Sequence, residues 1–435
     1  MGNIGSGFTS QRRSPNIGGM IAPGFEEVRD EFEHNFVARG EIGAAVAAYW
    51  CGKKVVDLWG GHCDPQRTLP WNEDTMAIVF STTKGLAAMT IALAVSRGWL
   101  DYDAPISQYW PEFSQHGKGH ITVRQLLGHE AGLVYLDEKL SIDRLRNLEE
   151  MSEFLARQRP VWPPGSRCGY HATTLGLYMQ EIIRHADPSH RSLGQFFHEE
   201  IAQPLGLDFY IGLPPEVSNE RLATMKLFSM LRALKALPRC PPEMILRMLW
   251  PWSLLQKSLI LREVDWNDRP SLEVELPAGN GVGTARSIAR AYSAFAQGGR
   301  ELGITDETFA ELTSIPTIRE DEVMGGPVSY SLGFFRSAPY TRFGAGQRAF
   351  GTPGAGGSFA FADPDVNLGF AYVMNNMDFY MFDDPREKAL REAVYRSIAR
   401  VSSRSCIVPQ RTIPKSEASD LIPIPQGFEP IMDGG

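Results

Sequence analysis

A serine followed three residues later by a lysine can carry acyl transfer, and Ser81-Thr82-Thr83-Lys84 is the one place in this chain where that spacing occurs. On a helix, positions i and i+3 share a face, so the two side chains meet. A serine hydroxyl attacks a carbonyl only when a base takes its proton. Lysine can be that base where burial keeps its amine uncharged. The stretch Gly85 to Trp99 carries Leu86, Met89, Ile91, Leu93 and Val95 with almost no charge, which predicts a buried helix able to supply that environment. The start of such a helix also places partial positive charge beside a developing oxyanion. An SxxK sequence by itself arises readily by chance, so other residues must join it before a reaction follows.

Two stretches qualify. Tyr170 sits in Pro163-Pro164-Gly165-Ser166-Arg167-Cys168-Gly169-Tyr170-His171-Ala172, a turn-rich loop before a predicted helix. A phenol on a rigid loop can pass a proton between a serine oxygen, a lysine amine and a leaving group; taken singly, most tyrosines are core residues bonded to backbone. Gly351-Thr352-Pro353-Gly354-Ala355-Gly356-Gly357-Ser358 precedes two predicted strands. Its glycines let a substrate lie against a strand edge, whose N–H groups can donate to an oxyanion. An ordinary glycine turn would look the same.

The elements that must position these residues follow from apolar spacing. Phe25, Val28, Phe32 and Phe36 predict an amphipathic helix ending at Gly40. Ala44 to Trp50 and Lys54 to Trp59 read as a hairpin turning at Cys51 and Gly52, and Met76 to Phe80 leads into Ser81. From Asp101 to about Pro270 the pattern is helical, with Val123 to Leu127, Leu148 to Leu155, Thr173 to Ile183, Leu193 to Ile201 and several pieces between Leu222 and Leu261. Thr284 is the expected N-cap of a helix from Ala285 to Ala296. Val328 to Phe335, Phe359 to Ala362 and Leu368 to Met374 read as antiparallel strands, and a helix from Pro385 to Ala399 precedes a Pro-rich tail. The two ends of the chain are therefore expected to pair into one sheet domain, with the helical middle inserted.

At 435 residues and 43% hydrophobic, the chain can bury a large core. Its formal charge of −8 is spread along the sequence, which argues against a nucleic-acid or anionic-membrane surface. Five cysteines without a CxxC pair suggest neither a disulfide framework nor a thiolate zinc site, so the expected location is cytoplasmic. The apolar region Leu227 to Leu261 is interrupted by charges and prolines and is not expected to span a membrane. A Ser-His-Asp hydrolase is disfavoured because no GxSxG occurs, and a zinc hydrolase because no HExxH occurs.

The order and spacing of the three motifs resemble the serine β-lactamase and penicillin-binding-protein superfamily, and most of all the family VIII carboxylesterases, which are similar to class C β-lactamases. Further matching stretches are Ile121-Thr122-Val123-Arg124-Gln125-Leu126-Leu127-Gly128-His129, Pro204-Leu205-Gly206-Leu207 and Asn280-Gly281-Val282-Gly283-Thr284-Ala285-Arg286. The likeness runs from about Phe25 to Arg400. It implies an α+β, β-lactamase-like fold: an antiparallel sheet flanked by helices, built from residues 20–100 and 276–401, beside an inserted all-α domain over residues 101–275. The active site would lie between them, and residues 402–435 would form an irregular tail.

The resemblance further implies Ser81 as acylated nucleophile, Lys84 as general base and Tyr170 as proton shuttle. It places the oxyanion hole on the backbone N–H groups of Ser81 and Ala355, with Gly356 the alternative, and calls for no metal and no cofactor. His171, Thr352, Gly354 and Gly356 are expected to contact substrate, whereas His129, Asn280 and Thr284 read as structural. Two departures matter: Ala172 stands where many β-lactamases have asparagine, and Thr352 stands where a lysine usually opens the third motif. A hydroxyl cannot supply the charge that holds a β-lactam carboxylate. The expectation is therefore a monomeric or homodimeric serine carboxylesterase acting on short-to-medium acyl esters, with room for feeble β-lactam hydrolysis. A β-lactamase, a D,D-peptidase, an acyltransferase and a non-catalytic binding module are the rival readings. The stretch Met225 to Trp266 would either overhang the cleft or form buried core.

Overall fold

The computed structural model describes residues 16–228, 242–259, 264–339, 341–380 and 383–404. Its main sheet has eight strands in the order β1 (Ile17–Ile21), β3 (Lys53–Gly61), β2 (Gly43–Trp50), then Leu368–Met374, Phe359–Asp363, Phe350–Pro353, Phe334–Arg336 and Tyr330–Ser331. All neighbours are antiparallel, and the junction between the two ends of the chain is the pairing of β2 with Leu368–Met374, Val46 opposite Tyr372. The expected closure of the N- and C-terminal parts into one sheet is thus observed.

Side chains alternate across this sheet into two cores. Ala47, Ala360, Ala362, Ala371 and Val373 enter one, while Val46, Phe359, Phe361, Phe370 and Tyr372 enter the other. The first face is small because the helix Ala285–Ala296 lies directly on it. A Cβ at Gly369 would stand 2.3 Å from the backbone nitrogen of Ser293, so a larger residue there would push the helix away. Thr284 caps this helix by accepting from the Ser287 N–H, as its sequence predicts. On the opposite face, α1 (Glu26–Val37) packs against the last helix, Pro385–Arg404.

The helix α2 (Thr83–Ser96) is apolar all round, and it is buried from Thr83 through Ala94. It packs between the sheet and the helices Thr174–Ala186 and Leu193–Phe197. The middle of the chain departs from the all-helical expectation at Phe209–Tyr210, which joins Val282–Gly283 and Ala77–Ile78 in a small three-stranded sheet. That sheet fastens the middle to both ends immediately before Ser81.

Other differences are local. The strand Ile17–Ile21 was not expected; its Gly18 and Gly19 mask the strand signal, and pairing with β3 forms it. The run Val328 to Phe335 is not one strand but a tight hairpin, because Leu332 (φ 49°) and Gly333 (φ 88°) reverse the chain. The last helix continues to Arg404, past the expected start of the tail at Ser402. Residues 405–435, and part of the helical pattern expected between Leu222 and Leu261, lie outside the described residues. No helix among the described residues is long and apolar enough to cross a membrane.

Candidate active site

Ser81 lies in a single 3-10 turn, Phe80–Thr82, that runs straight into α2. Phe80 takes a left-handed backbone conformation, φ 47°, which a bulky residue adopts only when its surroundings impose it. The sharp turn projects the serine into a cavity while the rest of α2 stays buried. Lys84 Nζ stands 3.0 Å from Ser81 Oγ and donates to the Ala278 carbonyl at 2.7 Å. The amine is fully buried, and desolvation pulls its pKa down to about 7. Near neutral pH a large fraction of Lys84 therefore carries a free lone pair beside the serine hydroxyl.

Tyr170 completes the group. Its phenol hydrogen-bonds to Ser81, and Lys84 Nζ sits 5.1 Å from the centre of its ring. Burial raises the pKa of Tyr170, so it stays a neutral phenol that can give a proton and take another.

The loop that carries Tyr170 is held from behind. His129 is fixed at φ 60°; its carbonyl accepts from Gly169 N–H at 3.0 Å, and its Nδ1 accepts from His171 N–H at 3.0 Å. The buried carboxyl of Asp321 accepts from the backbone N–H groups of Val323, Met324 and Tyr170 and from the Tyr330 hydroxyl at 2.7 Å. The Tyr330 ring stacks near that of Tyr170, 6.1 Å between centres. His129 is structural, as expected; Asp321 and Tyr330 were not foreseen, since nothing local marks them.

The glycine-rich motif forms the other wall. Ser358 Oγ donates to the Val79 carbonyl at 2.7 Å, and Thr82 Oγ1 donates to the Thr352 carbonyl at 3.2 Å, tying this motif to the Ser81 turn. Gly354 is pressed so closely here that a Cβ would lie 2.1 Å from Ser358 Oγ and 2.3 Å from the Val79 carbonyl. From the far side, the buried guanidinium of Arg386 donates to the Gly356 carbonyl at 2.7 Å, while Asp384 and Glu41 balance its charge. A third tie fixes the Lys84 partner: Thr83 Oγ1 accepts from Gly281 N–H at 2.9 Å, and Asn280 accepts from Leu276 N–H at 2.9 Å, bracketing Ala278.

The cavity at Ser81 has a volume of about 430 Å³. Gly354, Ala355 and Gly356 line it, together with Phe80, Tyr170 and Ala172. Two expected contact residues do not reach it. His171 is fully buried behind Tyr170, with Nε2 accepting from Leu133 N–H at 3.1 Å and Nδ1 2.7 Å from the Gly169 carbonyl; burial lowers its pKa to about 4. Thr352 is also buried, because strand alternation turns its hydroxyl toward Gly85 and Tyr292, away from the cavity. The overhanging stretch does contribute, through Phe228, Met248, Leu255, Leu259 and Trp266. The Trp266 ring meets Phe80 edge-on at 5.4 Å. Among the described lining residues the one acidic or basic side chain is Asp378.

No group of His, Cys, Asp and Glu side chains suited to hold a metal ion occurs among the described residues. The sheet, the helical layer and a serine poised beside an amine and a phenol are the architecture of the active-site serine acyl-transfer enzymes. A Beta-lactamase family model matches residues 29–395, and the chain belongs to that family. It is similar to Esterase/beta-lactamase LipL of Mycobacterium tuberculosis, 33% identical over 364 residues, which is 82% of this chain and 83% of that protein. Among solved structures, a family VIII carboxylesterase superposes with TM-score 0.78 at 37% identity, covering 88% of this chain and 99% of its own. EstA from Arthrobacter nitroguajacolicus Rue61a gives 0.75 at 33% identity, covering 88% and 99%.

Proposed function

We propose that this protein is a serine carboxylesterase that hydrolyses short-to-medium acyl esters through an acyl-enzyme on Ser81. The observation that carries the reading is the contact of Ser81 with the desolvated amine of Lys84 and the phenol of Tyr170 at one end of an apolar cavity. Lys84 accepts the Ser81 proton as Oγ bonds to the ester carbonyl carbon. The oxyanion is met by the N–H groups of Ser81 and Ala355, both at the cavity wall. Tyr170 hands its proton to the departing alkoxide and is reprotonated from Lys84, so the alcohol leaves neutral. Water then attacks the acyl-serine, giving its proton to the same pair, and Ser81 is regenerated with release of the acid.

Substrate class follows from the lining. A cavity of about 430 Å³ lies toward the small end of ligand pockets, which span roughly 300–1,000 Å³. Its apolar walls suit an acyl chain. The name of the LipL relative pairs esterase with β-lactamase, which favours feeble β-lactam turnover as a second activity. Cys51, Cys63 and Cys168 are free thiols, which supports a cytoplasmic location.

Hydrolysis of p-nitrophenyl butyrate measured beside that of a chromogenic cephalosporin, with Ser81→Ala as control, tests the proposal. Ester turnover should exceed cephalosporin turnover and vanish in Ser81→Ala. Unchanged ester turnover in that variant would overturn the assignment.

A further inference from the structure

The helix Pro242–Leu249 lines the cavity through Met248 and carries a broad apolar arc opposite Glu243 and Arg247, only part of which is buried. Met244 is buried and Met248 lines the cavity, whereas Leu246, Leu249 and Trp250, spaced i, i+3 and i+4 farther round that arc, are 65%, 75% and 59% exposed. Trp252 just beyond is 76% exposed. Across the described residues thirteen large apolar side chains are exposed, and seven of them fall between Leu227 and Leu259. An exposed apolar patch of this kind marks a surface that meets a partner.

The charge of the same stretch says which partner. Among the described residues from Met225 to Leu259, Lys226, Arg247 and Lys257 stand against the single acid Glu243, in a chain whose net charge is −8. The even spread of charge expected from the whole sequence therefore does not hold here. Lys226 and Lys257 are both exposed. Tryptophans and leucines flanked by basic residues are the composition of helices that lie in the headgroup region of anionic bilayers.

We infer that the outer face of Pro242–Leu249, with Trp250 and Trp252, docks on an anionic phospholipid surface and presents the cavity mouth to esters dissolved in it. The substrate part of this inference rests on the proposed esterase activity; the docking does not. Phe228 and Leu259 are both exposed and part of the cavity wall, so the face that meets lipid is continuous with the pocket.

Co-sedimentation of the full chain with vesicles of phosphatidylcholine containing about one third phosphatidylglycerol tests it, beside vesicles of phosphatidylcholine alone. Binding should be stronger to the anionic vesicles and should weaken as salt is raised. The double variant Leu249→Ser, Trp252→Ser should bind about ten-fold or more weakly. Its hydrolysis of dissolved p-nitrophenyl butyrate should stay within about two-fold of the parent, since neither residue lines the cavity. Ser81→Ala should bind vesicles like the parent, which separates loss of docking from loss of the esterase reading. Failure to bind either vesicle, or equal binding by the double variant, would overturn the inference. So would a lipid-independent dimer that the double variant abolishes without any vesicle binding, because a second copy would then own the face.

Discussion

The two walls of the cavity differ in what they turn toward it. The wall around Ser81 is stitched by buried side-chain hydrogen bonds between segments distant in sequence: Thr83 to Gly281, Ser358 to Val79, Arg386 to Gly356. The overhanging wall faces the cavity, among the described residues, with the apolar side chains Phe228, Met248, Leu255, Leu259 and Trp266. Its ties to the body, Thr173 to Ser258 and Arg247 to Asp321, fix backbone behind them rather than the side chains that face the cavity. Hydrogen bonds fix distance and angle, whereas apolar contact fixes only volume. The difference teaches that the reaction geometry and the shape of the substrate are set by separate parts, so substitutions in one wall should change turnover and in the other selectivity.

The strongest way to break that division is at the reacting groups. Ser81→Ala and Lys84→Met should each lower kcat for p-nitrophenyl butyrate by a factor on the order of 10⁴ or more in steady-state assays. Lys84→Met should also melt at a higher temperature than the parent. The folded pKa of Lys84 is depressed to about 7 from 10.5, so its stability penalty is fully present below about 7 and fades as pH rises toward 10.5. The melting advantage, followed by calorimetry, should narrow accordingly across that window.

Tyr170→Phe keeps the ring and its stacking but removes the proton, and kcat should fall by roughly 10²–10⁴. Ser358→Ala removes a tie and no reacting atom. It should cost about 1 kcal/mol in denaturant unfolding and about ten-fold in kcat, with KM nearly unchanged. The mildest change belongs to the other wall. Leu255→Ala should leave kcat for the butyrate ester within about three-fold while moving the preference in an acyl-length series toward longer chains. If Leu255→Ala lowered kcat as much as Ser358→Ala, the two walls would not be separable.

Much of this was legible from residue order because it depends on local spacing. Ser81 and Lys84 share a helix face, the strand Leu368–Met374 was read with its bounds, and the capped helix after Thr284 begins and ends as expected. What stayed hidden depends on chain return. Asp321 supports the Tyr170 loop from about 150 residues away, and Arg386 supports Gly356 only because the last helix folds back under the sheet. His171 and Thr352 were misread for a related reason: adjacency to a motif says nothing about which way a side chain points. The His171 ring turns onto the backbone of Gly169 and Leu133, and strand alternation turns Thr352 inward.

The central claim is that an uncharged Lys84 takes the proton of Ser81, and the rate of covalent labelling of Ser81 tests it without involving deacylation. Labelling by a p-nitrophenyl phosphonate, followed by intact mass between about pH 5 and 10, should rise with pH along a single ionisation near 7 and lose about ten-fold per unit well below it. A rate that is flat across that range, or that rises only near the ordinary lysine value of 10.5, would contradict the account.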